Sequence, residues 1–179
     1  MTSADVPFDP GPPQQVSTSS SAGGWTLTFT QHLAHPVGTV WSALTSPAEL
    51  PEWAPYTSDR SLDYTGPATL MMVDGDQRIE LDGEVLLAQA ESVLEHRWGD
   101  ELLRWELLPA GDAGTQLTLH HTVSQPDQLS MVAAGWHLCF IVADRYLAGF
   151  PIGPIVGPSA MNYGWEDLRD RYRELLEIT

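Results

Sequence analysis

DQLSMVAAGWHLCFIVADRYLAG, residues 127 to 149, is the stretch whose reading decides the fold. Its middle, Met131 to Ala143, is apolar apart from His137, and charge returns at Asp144 and Arg145. At roughly 1.5 Å per residue the stretch makes a helix of about 33 Å, enough to cross a small domain. Asp127 is positioned to cap its start, and Gly149 followed by Pro151 supplies the stop. The apolar run is too short for a membrane span and is interrupted by His137. A helix this apolar needs a partner surface, and the rest of the chain reads as that surface.

With 179 residues and 42% hydrophobic content the chain is long enough to bury a sizeable core as one domain. The balance of 8 basic against 24 acidic residues gives a formal charge of −16. All eight basic residues are arginine, so Schiff-base chemistry, a lysine-bound pyridoxal cofactor and a phosphate-loop lysine are excluded. The acidic balance argues against DNA, RNA or an anionic membrane as partner, because such binding neutralises phosphates with clustered cations. The single cysteine, Cys139, cannot form an internal disulfide, and no basic-then-apolar leader pattern is visible near residue 1. A cytoplasmic setting is the expectation.

Residues 1 to 23 carry four prolines by position 13 and then a polar serine-threonine run, which predicts a disordered tail. A single domain is expected over 24–179. Trp25, Leu27 and Phe29 alternate with threonines as in a half-buried strand. Pro36 then opens a short helix with Val37, Val40, Trp41 and Leu44 at helical spacing. Ser46 and Glu49 have the spacing of a capping box for a second short helix reaching about Trp53. Strands are expected over Ala68 to Val73, Arg78 to Ala88, Val93 to Trp98, Leu102 to Leu108 and Gln116 to Val123, with turn signals at Asp74-Gly75 and Gly99-Asp100. A last helix from about Asn162 presents Trp165, Leu168, Tyr172, Leu175 and Leu176, with Asp167 and Arg171 one turn apart. The pattern is α+β, a curved antiparallel sheet wrapped around the long helix.

This order of elements resembles the helix-grip fold of the START-like, or SRPBCC, superfamily, which includes the birch-pollen allergen. Several segments are similar to bacterial homologues of the activator of heat-shock-protein-90 ATPase: HPVGTVWSALTSPAELPEW (35–53), WGDELLRWEL (98–107), TQLTLHHT (115–122), AAGWHLC (133–139) and the loop and helix from Pro151 to Leu176. The resemblance covers about residues 24 to 176. It departs from the pattern after Cys139, where Phe140 and Ile141 stand in place of leucine and an acidic residue. The resemblance implies a fold that hosts lipid carriers, hormone receptors, cyclases and chaperone cofactors.

A sheet curled round a helix encloses space, and apolar hollows of that kind take small molecules. Strand alternation directs Trp25, Ile79, Leu81, His96, Trp98, Trp105, Leu119 and His121 inward, with Trp136 and Phe140 facing them from the helix and Trp53 closing one end. The expected ligand-binding set is Trp53, Leu81, His96, Trp98, Trp105, Leu119, His121, Trp136 and Phe140. Gly135 is read as a point where the sheet approaches the helix closely. His121 is either a core histidine or the acid-base residue of a cyclase, dehydratase or hydrolase. His120 points the other way, and His137 is placed to reach the hollow or a partner surface.

No HExxH, CxxC or acidic calcium loop is present, so neither a metal nor another cofactor is expected. Cys139 reads as a small core residue. The expected partner is a small apolar molecule, for a chain that is a monomer or a homodimer. A chaperone partner is disfavoured because the chain offers few cations to an acidic surface.

Overall fold

The computed structural model describes residues 8–74 and 76–178. In chain order it contains β1 (Val16–Ser21), β2 (Gly24–Leu33), α1 (Val37–Thr45), α2 (Leu50–Trp53), β3 (Tyr56–Ser58), β4 (Thr69–Asp74), β5 (Gln77–Asp82), β6 (Val85–Gln89), β7 (Val93–Trp98), β8 (Glu101–Ala110), β9 (Gly114–Val123), α3 (Gln128–Leu147), a 3-10 turn (Gly157–Tyr163) and α4 (Trp165–Leu175). Six strands form one antiparallel sheet in the order β1-β2-β9-β8-β7-β6, and β3-β4-β5 form a second. This is the α+β helix-grip arrangement, with α3 lying in the curve.

Register places the inward residues in cross-strand rows. Leu27 pairs with His121, His121 with Leu103, Leu103 with His96, and His96 with Val85. The next row runs Phe29, Leu119, Trp105, Leu94. All of these residues are buried, because period-2 alternation turns each row to the face that α3 covers.

Several sequence expectations need correction. Residues 1–7 lie outside the described part, but from Phe8 onward the expected disordered tail is packed on the domain, and β1 pairs with β2 from Val16↔Phe29 to Ser21↔Gly24. Its backbone groups find partners in β2, which a reading of its polar side chains alone overlooks. The expected strand Arg78 to Ala88 divides into β5 and β6, which belong to different sheets, with Gly83 between them. A Cβ at Gly83 would lie 2.5 Å from Leu70 Cγ, so this crossing requires glycine. Strand β3 went unread because three residues carry too little periodicity.

Trp25 and Ile79 are each 37% exposed, Trp25 because it lies at the start of β2 and Ile79 because β5 is an edge strand of the second sheet. The Ser46–Glu49 capping box does not form. Glu49 instead accepts hydrogen bonds from Ser42 Oγ and from the Tyr146 hydroxyl, and so ties the first helices to α3. The Asp74-Gly75 turn includes Gly75, outside the described residues.

Helix α3 starts and stops within a residue or two of the expected limits. Asp127 makes no side-chain cap; the Gln128 amide oxygen accepts the Gln125 N–H instead. Gly149, at φ +87°, closes the helix as expected. At the C-terminal end, the expected helix from Asn162 is a 3-10 turn followed by α4, joined at Gly164 with φ +83°. The Asp167–Arg171 pair forms, while Leu175 is exposed.

Candidate functional site

The space between α3 and the centre of the sheet is filled by aromatic rings. Trp105 meets Trp136 edge to face with centroids 5.3 Å apart, Trp136 stacks on Phe140 at 5.9 Å, and Phe140 meets Phe29 at 5.0 Å. Trp53 packs edge-on to Trp105 from α2, and its indole N–H donates to the Ala43 carbonyl. Such contacts hold large side chains in single arrangements.

Two histidines sit inside this packing. The Trp136 indole N–H donates to His121 Nδ1 at 2.9 Å, and His121 Nε2 lies 2.5 Å from Glu101 Oε2. An indole can only donate, so Nδ1 is the acceptor and the ring proton belongs on Nε2, facing the carboxylate. His96 has the opposite tautomer: its Nδ1 donates to the Arg97 carbonyl, while Nε2 accepts from the Tyr56 hydroxyl at 3.3 Å and the Trp105 indole at 3.4 Å. Burial pushes His96 down to about 4 and the Tyr56 hydroxyl well above its ordinary range.

The open space lies to one side of this packing. A cleft of about 340 Å³ runs between α3 and the C-terminal segment. Met131, Val132, Gly135, Trp136 and Cys139 form the α3 wall, at the spacing of one helical stripe. Ile155, Val156, Gly157, Ala160 and Met161 form the opposite wall, with Trp165 at one side and Pro55, Met72 and Trp98 at the back. None of the lining residues is charged. A Cβ on Gly135 would meet nothing within 4 Å, so this glycine widens the cleft and does not receive the sheet.

Of the nine residues expected to bind a ligand, Trp98 and Trp136 line the cleft. Trp53, His96, Trp105, Leu119, His121 and Phe140 are in the filled core, and half-buried Leu81 packs against Gly99. The inward direction of these residues is as expected; the hollow is displaced toward the C-terminal segment because the tryptophans occupy the centre. His121 therefore does not face the cleft, and both its ring nitrogens are engaged, which counts against an acid-base role. His137 turns from the cleft to α4, and His120 faces outward, bonded to Thr28 and Glu106.

Glu101 was missed although alternation could have found it, two residues before inward Leu103. Met131 and Cys139 carried no polar signal, and the loop residues 155–161 had no periodicity to read. Cys139 is buried, and burial pushes its thiol up to about 12. Among the described residues no three His, Cys, Asp or Glu side chains converge as a metal site. No helix among them is long and apolar enough to cross a membrane.

The family described as Activator of Hsp90 ATPase homolog 1-like protein matches residues 34–147. Among solved structures, CalU16 from Micromonospora echinospora superposes with a TM-score of 0.69 at 20% identity, over 92% of this chain and 96% of that one. A Rhodobacter sphaeroides protein matches at TM-score 0.60 and 23% identity, over 75% of this chain and 99% of its own. DynU16, a protein of the dynemicin biosynthetic locus, matches at TM-score 0.61 and 25% identity, over 70% of this chain and 48% of its own. No curated protein matches in sequence. The chain belongs to the Activator of Hsp90 ATPase homolog 1-like family, within the START-like (SRPBCC) superfamily.

Proposed function

We propose that this Activator of Hsp90 ATPase homolog 1-like protein binds a small, neutral, aromatic molecule in the cleft between α3 and the C-terminal segment. The observation that carries the reading is the lining: apolar side chains and glycine on every wall, with Trp98, Trp136 and Trp165 among them. A buried carboxylate or phosphate would have no cation to pair with there, so the ligand is uncharged where it is enclosed. Three methionine thioethers, from Met72, Met131 and Met161, adapt to irregular outlines and favour contact with aromatic rings. The cleft volume is at the small end of the range for drug-sized ligands. The likeness to DynU16, a protein of the dynemicin biosynthetic locus, supports a small-molecule role at the level of analogy.

An acid-base enzyme built on His121 would put that residue in the cleft, and a chaperone co-regulator draws only on the family description. Binding is the reading the lining supports. It is tested by native mass spectrometry of protein isolated from its own host, followed by fluorescence titration with N-phenyl-1-naphthylamine and with a fatty acid of similar size. Retention of a neutral molecule, or saturable binding of the neutral probe alone, supports the reading. Equal preference for the fatty acid, or no uptake of either, overturns it.

A further inference from the structure

The chain N-terminal to β1 joins α3 to the C-terminal segment, the two elements that wall the cleft, through residues that do not themselves line it. Phe8 lies edge-to-face against Tyr163 of the 3-10 turn, with centroids 5.0 Å apart, and beneath the Arg145 guanidinium of α3 at 5.5 Å. The Pro10 carbonyl accepts from His137 Nε2 of α3 at 2.6 Å, and a Cβ at Gly164 would come within 3.4 Å of the Pro10 ring. Gln14 N–H donates to the Tyr172 hydroxyl at 2.8 Å, and that hydroxyl lies 2.7 Å from His137 Nδ1.

These bonds have one consistent direction. A carbonyl only accepts, so His137 carries its proton on Nε2, and Nδ1 accepts a hydrogen bond from the Tyr172 hydroxyl, leaving the tyrosine oxygen to accept from Gln14. Each donor is used once, and Phe8 and Pro10 each join α3 to the segment around the 3-10 turn. That turn supplies Gly157, Ala160 and Met161 to the cleft while presenting Tyr163 to Phe8.

We propose that residues 8–14 are a strap that holds the 3-10 turn against α3 and so sets how often the cleft opens. Its consequence for ligand exchange rests on the cleft being the binding site; its effect on opening does not. Cys139 lines the α3 wall and is the single cysteine of the chain, so its alkylation reports opening without any ligand.

The experiment compares the full chain with its Phe8→Ala and Arg145→Gln variants. It measures alkylation of Cys139 by N-ethylmaleimide under native conditions, with the urea midpoint of each protein, and the on- and off-rates of N-phenyl-1-naphthylamine by stopped flow. Phe8→Ala is expected to speed alkylation about fivefold, as befits the loss of one edge-to-face aromatic contact, with a smaller rise for Arg145→Gln. Both probe rates rise with it. Unchanged alkylation in both variants, or a rise fully accounted for by a lower urea midpoint, overturns the strap. Faster alkylation in a protein that never takes up the probe upholds the strap and removes the binding reading. Probe binding at unaltered rates does the reverse.

Discussion

Trp136 lines the cleft while its indole N–H is held by His121, 2.9 Å away in the buried core. The residue that lines the open space is thus positioned by one that does not. Trp136→Phe keeps the ring face but leaves His121 Nδ1 without a donor, and is expected to cost about 1–3 kcal/mol of stability. Urea denaturation measures that cost, while affinity for a neutral aromatic probe should fall less than tenfold. A loss of binding far beyond the loss of stability would make the indole N–H part of recognition.

The Glu101 carboxylate plays a matching part on the other side of the ring. Glu101→Gln retains an acceptor for His121 Nε2 and should shift the urea midpoint little. Glu101→Leu strands a buried N–H and should cost about 1–3 kcal/mol. If the two substitutions are equally mild, the 2.5 Å contact contributes nothing measurable.

Stability should fall in acid through His96. Its folded-state value is pushed down to about 4 by burial, against about 6.5 unfolded, so below 6.5 the unfolded chain binds more protons. The neutral ring's contribution is complete above about pH 6.5 and is lost as pH falls toward 4, on the order of 3 kcal/mol. Burial also lowers His137, in the same direction. Urea midpoints from pH 8 to 4 should decline accordingly, with a shallower decline in His96→Gln.

Gly135 separates cleft from core. Its missing side chain faces open space inside a helix, so Gly135→Ala should stabilise the protein by about 0.5–1 kcal/mol. Gly135→Leu should fill the cleft and abolish probe binding with the fold retained, as read by circular dichroism and titration. Undiminished binding in the leucine variant would move the ligand elsewhere.

Local periodicity made much of this molecule legible. The apolar stretch with Gly149 at its end located α3, and alternation correctly assigned His96, Trp105, Leu119 and His121 to the covered face. The same alternation failed for Trp25, because a strand's inward face extends beyond what covers it. It also failed at Gly83, where one apolar run serves two sheets. The serine-rich stretch before β2 read as disorder because its strand is stabilised by pairing with Phe29 and its neighbours, not by its own side chains.

The sequence by itself determined the long helix, the main antiparallel strands that lie against it and the inward direction of their central residues, since these follow from repeats of 2 and 3.6 residues along the chain. Only the tertiary structure decided where space remains. An opening is the difference between the volume that the elements enclose and the volume that their side chains occupy, and no local period encodes that difference. Here Trp53, Trp105, Trp136 and Phe140 consume the centre, and Gly135, together with the 3-10 turn held under Phe8 and Pro10, leaves the cleft at its side.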